Sequence, residues 1–207
     1  MRNAIRTLGW MACGAGLCLS AGCASPKPAA TTDPELSRVA GVARLSFEQG
    51  SLEQSARLYA RALRMARKTD DAREIGSNAY NLAACLAELG RYPEALGFLE
   101  EARGEFARAD RSQADLLLLE AKIALLSGQF SDALAIAEGV LPAAAKGDVP
   151  AYRVQVMLLR ADVALARGAA EVARVELEDA KKDLRKQRDT LLNAQVAGVE
   201  GRVLLAT

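Results

Sequence analysis

Asn81-Leu82-Ala83-Ala84-Cys85-Leu86-Ala87-Glu88-Leu89-Gly90-Arg91-Tyr92-Pro93-Glu94-Ala95-Leu96 is the stretch whose reading decides the fold. It reads as the end of one helix, a glycine turn, and a second helix with Pro93 just inside its start. The arrangement recurs around Gly50, Gly128 and Gly168, so the four glycines are 40, 38 and 40 residues apart (90−50, 128−90, 168−128). Alanine stands seven residues before each glycine, as Ala43, Ala83, Ala121 and Ala161. Five residues after stand Ser55, Ala95, Ala133 and Ala173; twelve after stand Ala62, Ala102, Val140 and Ala180. An aromatic follows two of the glycines at the second position, as Tyr92 and Phe130. Small residues at fixed offsets let paired helices approach closely. Self-similarity at a fixed period marks a repeat architecture.

Helical spacing of apolar residues runs from Asp33-Pro34-Glu35 almost to the C-terminus. Asp33 suits an N-cap and Pro34 a first helical position. Ser51-x-x-Gln54 and Asp110-x-x-Gln113 have the form of capping boxes at helix starts. Lys146-Gly147 reads as a helix stop before Asp148-Val149-Pro150 reopens the chain. Pro142 should kink or end the second helix of the third repeat early. After Asp189, the residues Leu191, Leu192, Val196, Val199, Val203 and Leu204 outline one more helix, expected to cover the last open face as solenoids require.

This pattern resembles the tetratricopeptide repeat (TPR) over about residues 35–187, most closely in the Asn81–Leu96 stretch. The family period is ~34 residues, and the longer period here predicts helices about one turn longer. The extra residues fall near Thr69–Ile75, Ala109–Gln113 and Lys146–Pro150. The resemblance implies an all-α fold: a right-handed superhelix of four helical hairpins plus a C-terminal capping helix, nine helices in all. Its repeats fall at about 35–69, 71–109, 111–147 and 149–187, with the capping helix at about 189–205, in a domain spanning 34–207.

The N-terminus reads as an export signal. Arg2 and Arg6 precede an apolar run from Leu8 to Leu19, with no acidic residue before Asp33. That run is shorter than the ~20 residues a membrane span needs, and small residues close it. Leu19-Ser20-Ala21-Gly22-Cys23 resembles the lipobox of bacterial lipoproteins. The family prefers Leu three residues before the cysteine, where this chain has Ser20. The resemblance implies cleavage of residues 1–22 and a lipidated Cys23, with residues 23–33 as a flexible tether; ordinary cleavage after Ala24 is the alternative. Ala24 follows the cysteine, so in a Gram-negative host the resemblance implies the outer membrane. Removal of the signal would take Arg2, Arg6, Trp10, Cys13 and Cys18, leaving Cys85 beside Cys23 and no internal disulfide framework.

Composition narrows the function classes. Ala and Leu dominate the 51% hydrophobic fraction, while aromatics make up 4%, which favours helices over strands. A formal charge of +1 argues against nucleic-acid binding. The chain has no histidine, which removes the commonest general base and metal ligand. We find no catalytic set, no Cys/His zinc cluster and no phosphate loop outside the signal, so neither an enzyme nor a cofactor or metal is expected. Asp70-Asp71 reads as a helix cap rather than paired carboxylates, and Cys85 as a small buried hydrophobe rather than a reactive thiol. The stretch Lys181–Arg188 reads either as a basic patch for anionic lipid or as a solvated helix end favoured by the dipole.

In the TPR family the first helices of the hairpins line a groove. By phase, this places Arg44 and Phe47 from the first repeat there, with Tyr80, Asn81 and Ala84 from the second. Leu118, Lys122 and Leu125 follow from the third, and Leu158, Asp162 and Leu165 from the fourth. The Lys/Asn set with which some TPRs clamp a C-terminal carboxylate is absent. Leu116-Leu117-Leu118-Leu119 is either a helix buried between neighbours or an apolar slot for a partner segment. The expected function is a membrane-anchored adaptor that binds protein partners in a bacterial envelope complex. A periplasmic module binding a ligand or peptidoglycan fragment in the groove is the alternative.

Overall fold

The structure, a computed structural model, describes residues 33–145, 147–185 and 189–206. The candidate signal, Cys23 and all of the tether but Asp33 lie outside the described residues. The helices are α1 (Pro34–Glu48), α2 (Leu52–Thr69), α3 (Ala72–Glu88), α4 (Tyr92–Arg108), α5 (Ala114–Leu126), α6 (Phe130–Glu138), α7 (Val140–Ala143), α8 (Val149–Ala166), α9 (Ala170–Leu184) and α10 (Thr190–Ala206). α1 packs on α2, α3 on α4, α5 on α6 and α8 on α9, and α10 closes against α8 and α9. Nine helices were expected; among the described residues the sixth is broken at Gly139 into α6 and α7.

The four hairpin turns are copies of one another. Gly50, Gly90, Gly128 and Gly168 all take φ of +74° or +75°. Each glycine N–H donates to the carbonyl three residues back, at 2.9–3.0 Å. The following N–H donates to the carbonyl five residues back: Ser51 to Ser46, Arg91 to Leu86, Gln129 to Ala124 and Ala169 to Ala164, each at 2.8 Å. This is the Schellman arrangement, in which a left-handed residue lets two successive N–H groups satisfy the orphan carbonyls of a helix end.

The small residues found by phase are among the most deeply buried of the described residues. All twelve, at offsets −7, +5 and +12 from the glycines, have 0% exposure. Eleven are Ala or Val. The polar one, Ser55, donates its hydroxyl to the Ala43 carbonyl at 2.8 Å and sits 3.2 Å from Cys85 Sγ, tying α1, α2 and α3 together.

Caps follow the sequence in part. Asp33, Asp71 and Asp189 each accept N–H groups of the helix they precede, at 2.8–3.3 Å. The two expected capping boxes are corrected. Ser51 makes no side-chain cap, and its N–H, which Gln54 would have to reach, is already donated to Ser46. Asp110 does not open α5; at φ 51° it ends α4, with the next N–H, of Arg111, donating to Phe106 at 2.8 Å. α5 starts later, and Ser112 Oγ accepts the Ala114 N–H at 3.2 Å. Pro142 acts as its chemistry requires: it has no N–H for the Glu138 carbonyl, and α6 ends at Glu138.

The core is divided. One apolar cluster fills α1–α4 and takes in Leu116, Leu119 and Ile123 of α5. A second joins α8, α9 and the Leu192, Val196, Val199 and Val203 face of α10. Smaller clusters around α5–α8 lie between them in sequence. α10 thus covers the last hairpin, and its outward side mixes apolar with polar residues. Leu191, Ala194, Ala197, Gly198, Gly201, Leu204 and Leu205 are exposed, alongside Asn193, Gln195 and Arg202.

Gly76 marks a second close approach. A Cβ there would lie 2.6 Å from the Phe106 ring, deep between α3 and α4. We expect Gly76→Ala to lower unfolding stability by about 1–3 kcal/mol through overpacking. Gly168→Ala is expected to cost about 1–2 kcal/mol because alanine is strained at its left-handed φ. Urea titration followed by circular dichroism checks both; unchanged midpoints would contradict the packing and the turn geometry respectively.

Candidate functional site

The repeat that makes the hairpins identical also lines up one face of their first helices. Positions six before each glycine, Arg44, Ala84, Lys122 and Asp162, line a single groove. So do the positions two before: Glu48, Glu88, Leu126 and Ala166. The groove encloses about 1280 Å³, with walls from α1, α3, α5 and α8 and one end from α10. Phe47, Tyr80, Asn81, Leu118, Leu125 and Leu158 also face it; Leu165 does not line it.

The four-leucine run of α5 is divided by its neighbours. Leu116 and Leu119 enter the core of the first two repeats, and Leu117 packs in the cluster beside α7. Leu118 and Leu119 border the groove. Burial therefore accounts for most of the run, while Leu118, Leu125 and Leu126 form an apolar strip along the opening. α10 leaves this strip uncovered: Leu126 remains 48% exposed.

Charges in the groove are paired with one another. Arg44 meets Glu48 at 2.8 Å within α1. Lys122 of α5 meets Glu88 of α3 at 2.5 Å. Asp162 of α8 receives Arg202 of α10 through both carboxylate oxygens, at 2.6 and 2.9 Å. The uncharged amides Asn81, Gln155 and Gln195 line the groove and make no side-chain hydrogen bond among the described residues. Sequence reasoning missed Glu48 and Glu88, although the glycine phase alone would have found them. It also missed Gln195 and Arg202, for which no phase signal exists because α10 is not part of a hairpin.

Tyrosines gather near the same wall. Tyr80 is pushed up to about 12 by burial, with Asp115 adding to the shift. Tyr59 is likewise pushed up to about 12, chiefly by burial. Tyr152 donates its hydroxyl to Asp115 at 2.7 Å, and burial and that bond raise its pKa further still.

The other residues singled out by sequence fall elsewhere. Cys85 is fully buried and held above its ordinary pKa by burial. Asp70 and Asp71 do not act as a pair: Asp71 caps α3, and Asp70 meets Arg108 at 3.1 Å. In the basic stretch, Lys181 is bonded to Glu178 and Glu200, and Lys182 to Asp179. These two lysines are neutralised by neighbours, as in a solvated helix end; residues 186–188 lie outside the described residues.

The family model described as Tetratricopeptide repeat matches residues 35–104. The fold is that of the TPR. A crystal structure of nearly identical TPR-like repeats, assigned to a kinesin light chain of Podosopora anserina, superposes with a TM-score of 0.55 at 18% identity, covering 83% of this chain and 94% of that one. No curated protein matches the chain. TPR repeats suggest a protein–protein interaction module, and the TPR fold is typically a non-catalytic scaffold.

Tyr59 and Tyr80 carry a testable consequence. Their folded pKa values lie above the ordinary 10, so folding favours the protonated phenol. That contribution is fully present below pH 10 and is lost as pH rises through about 12. Stability should therefore fall between those values. Absorbance titration at the phenolate band should show that these tyrosines ionise together with unfolding, and Tyr80→Phe should shrink the pH-dependent loss.

Proposed function

We propose that the protein is a lipid-anchored TPR adaptor that holds an elongated segment of a protein partner in the α1–α3–α5–α8 groove. The observation that carries this reading is the groove itself, which crosses every repeat and is continuous with α10. Its volume of about 1280 Å³ exceeds the ~300–1,000 Å³ of ordinary small-molecule sites. Its lining is leucine-rich, with the free amides of Asn81, Gln155 and Gln195 contributed by three different helices. Such amides can pair with the unsatisfied N–H and C=O groups of an extended backbone, which a partner helix would not offer. The periplasmic ligand- or peptidoglycan-binding alternative would call for a compact polar pocket, and the groove polars are instead spread along four helices and α10.

The anchor is read from Leu19-Ser20-Ala21-Gly22-Cys23. Two or three acyl chains on Cys23 would hold the protein firmly, since each buried methylene contributes ~0.8 kcal/mol. Among the described residues no helix is long and apolar enough to cross a membrane. We place the protein in a bacterial envelope, on the outer membrane facing the periplasm in a Gram-negative host, where it would help assemble or stabilise a complex.

Two measurements test these claims. Radiolabelled palmitate should enter the wild-type chain and not Cys23→Ala, which should leave the membrane pellet; equal labelling of both would remove the anchor. A photo-cross-linker placed at Leu126 should trap one discrete protein partner in native cells. The same group at Val172, exposed on α9 and outside the groove lining, should not. Identical products from both positions would sink the groove as the docking surface.

A further inference from the structure

Among the described residues, the groove is lined by six charged side chains, three of each sign: Arg44, Lys122 and Arg202 against Glu48, Glu88 and Asp162. Each is paired with another of the six, at 2.8, 2.5 and 2.6 Å. The lining is formally neutral, and its charges are committed before any partner arrives. Two of the pairs also brace the wall, joining α3 to α5 and α8 to α10.

We infer that the segment bound in this groove is uncharged where it crosses the wall, built of apolar and small polar residues without Asp, Glu, Lys or Arg. This rests on reading the groove as a protein-docking surface. Among the described residues, an incoming charge finds no unmatched opposite charge in this lining. To gain a partner it must break a pair, and the displaced side chain is then left alone in a groove the ligand has closed to water. Exposed pairs hold weakly in the free protein, but desolvation makes one unmatched charge costly. Apolar side chains bury against the Leu118, Leu125, Leu126 and Leu158 strip and leave every pair intact. A wall of one sign would steer oppositely charged tails; this wall does not.

The test pans a random phage-displayed peptide library on the full chain and counter-pans on a Leu126→Glu/Leu191→Glu variant. Both residues line the groove and are 48% and 65% exposed, so the exchange leaves the core untouched. Clones that bind only the unaltered groove should carry charged residues at less than about one-third of the input frequency. Their synthetic peptides should change affinity less than about twofold between about 50 and 500 mM NaCl. Charge-enriched groove-dependent clones, or about tenfold weakening by salt, would overturn the inference and leave the docking surface standing. Recovery of no groove-dependent clone would overturn the docking reading and the inference with it. Lys122→Ala, which leaves Glu88 unmatched, should shift selection toward Lys- and Arg-bearing clones. The exchanged pair Glu88→Lys/Lys122→Glu should restore the neutral preference; failure of either response contradicts the role of pairing.

Discussion

Close contact between helices at twelve fully buried small positions is the constraint on which this structure depends. Alanine brings almost no side-chain entropy to lose and no bulk to hold backbones apart. Placed at −7, +5 and +12 from each turn glycine, it fixes where the two helices of a hairpin touch and where the next hairpin leans on them. The Schellman turns complete the constraint, because four left-handed glycines of nearly identical φ close each hairpin in the same way. Ser55 shows how polarity is accommodated at this contact: its hydroxyl bonds the Ala43 carbonyl on the facing helix and lies against Cys85 Sγ.

The groove is a consequence of that regularity. When hairpins repeat with one geometry, equivalent residues of successive first helices stand side by side, so Arg44, Ala84, Lys122 and Asp162 share a wall although about forty residues separate each from the next. Neighbouring elements can then share charge partners: Glu88 of the second repeat pairs with Lys122 of the third, and Asp162 of the fourth with Arg202 of α10. For these two pairs bracing and neutralising the wall are one act, and leucines and carboxamides are what remains unpaired along the opening.

Regularity fails in the third repeat, with a local cause. Pro142 cannot donate to Glu138, the second helix breaks at Gly139, and the apolar core separates into clusters on either side. The C-terminal helix departs in another way. It buries Leu192, Val196, Val199 and Val203 against the last hairpin, yet leaves Leu191, Leu204 and Leu205 exposed as well. A helix apolar on both sides yields no strong amphipathic signal, and its solvent-facing side could not have been told from its buried side by periodicity.

The sequence alone determined the repeat phase, the turn glycines, the buried small residues, the break near Pro142 and some of the first-helix residues that share a face, because these depend on spacing and on the backbone limits of Gly, Ala and Pro. It could not decide between a cap and a turn for Ser51 and Asp110, since the same side chain serves either and the backbone dihedral selects. Nor could it say which of four consecutive leucines meets solvent, because that depends on neighbours distant in the chain. Above all, only the tertiary structure paired the groove's charges: Glu88 with Lys122, and Asp162 with Arg202, are 34 and 40 residues apart, and nothing local connects them. Their contact exists because the packed small residues bring the carrying helices together.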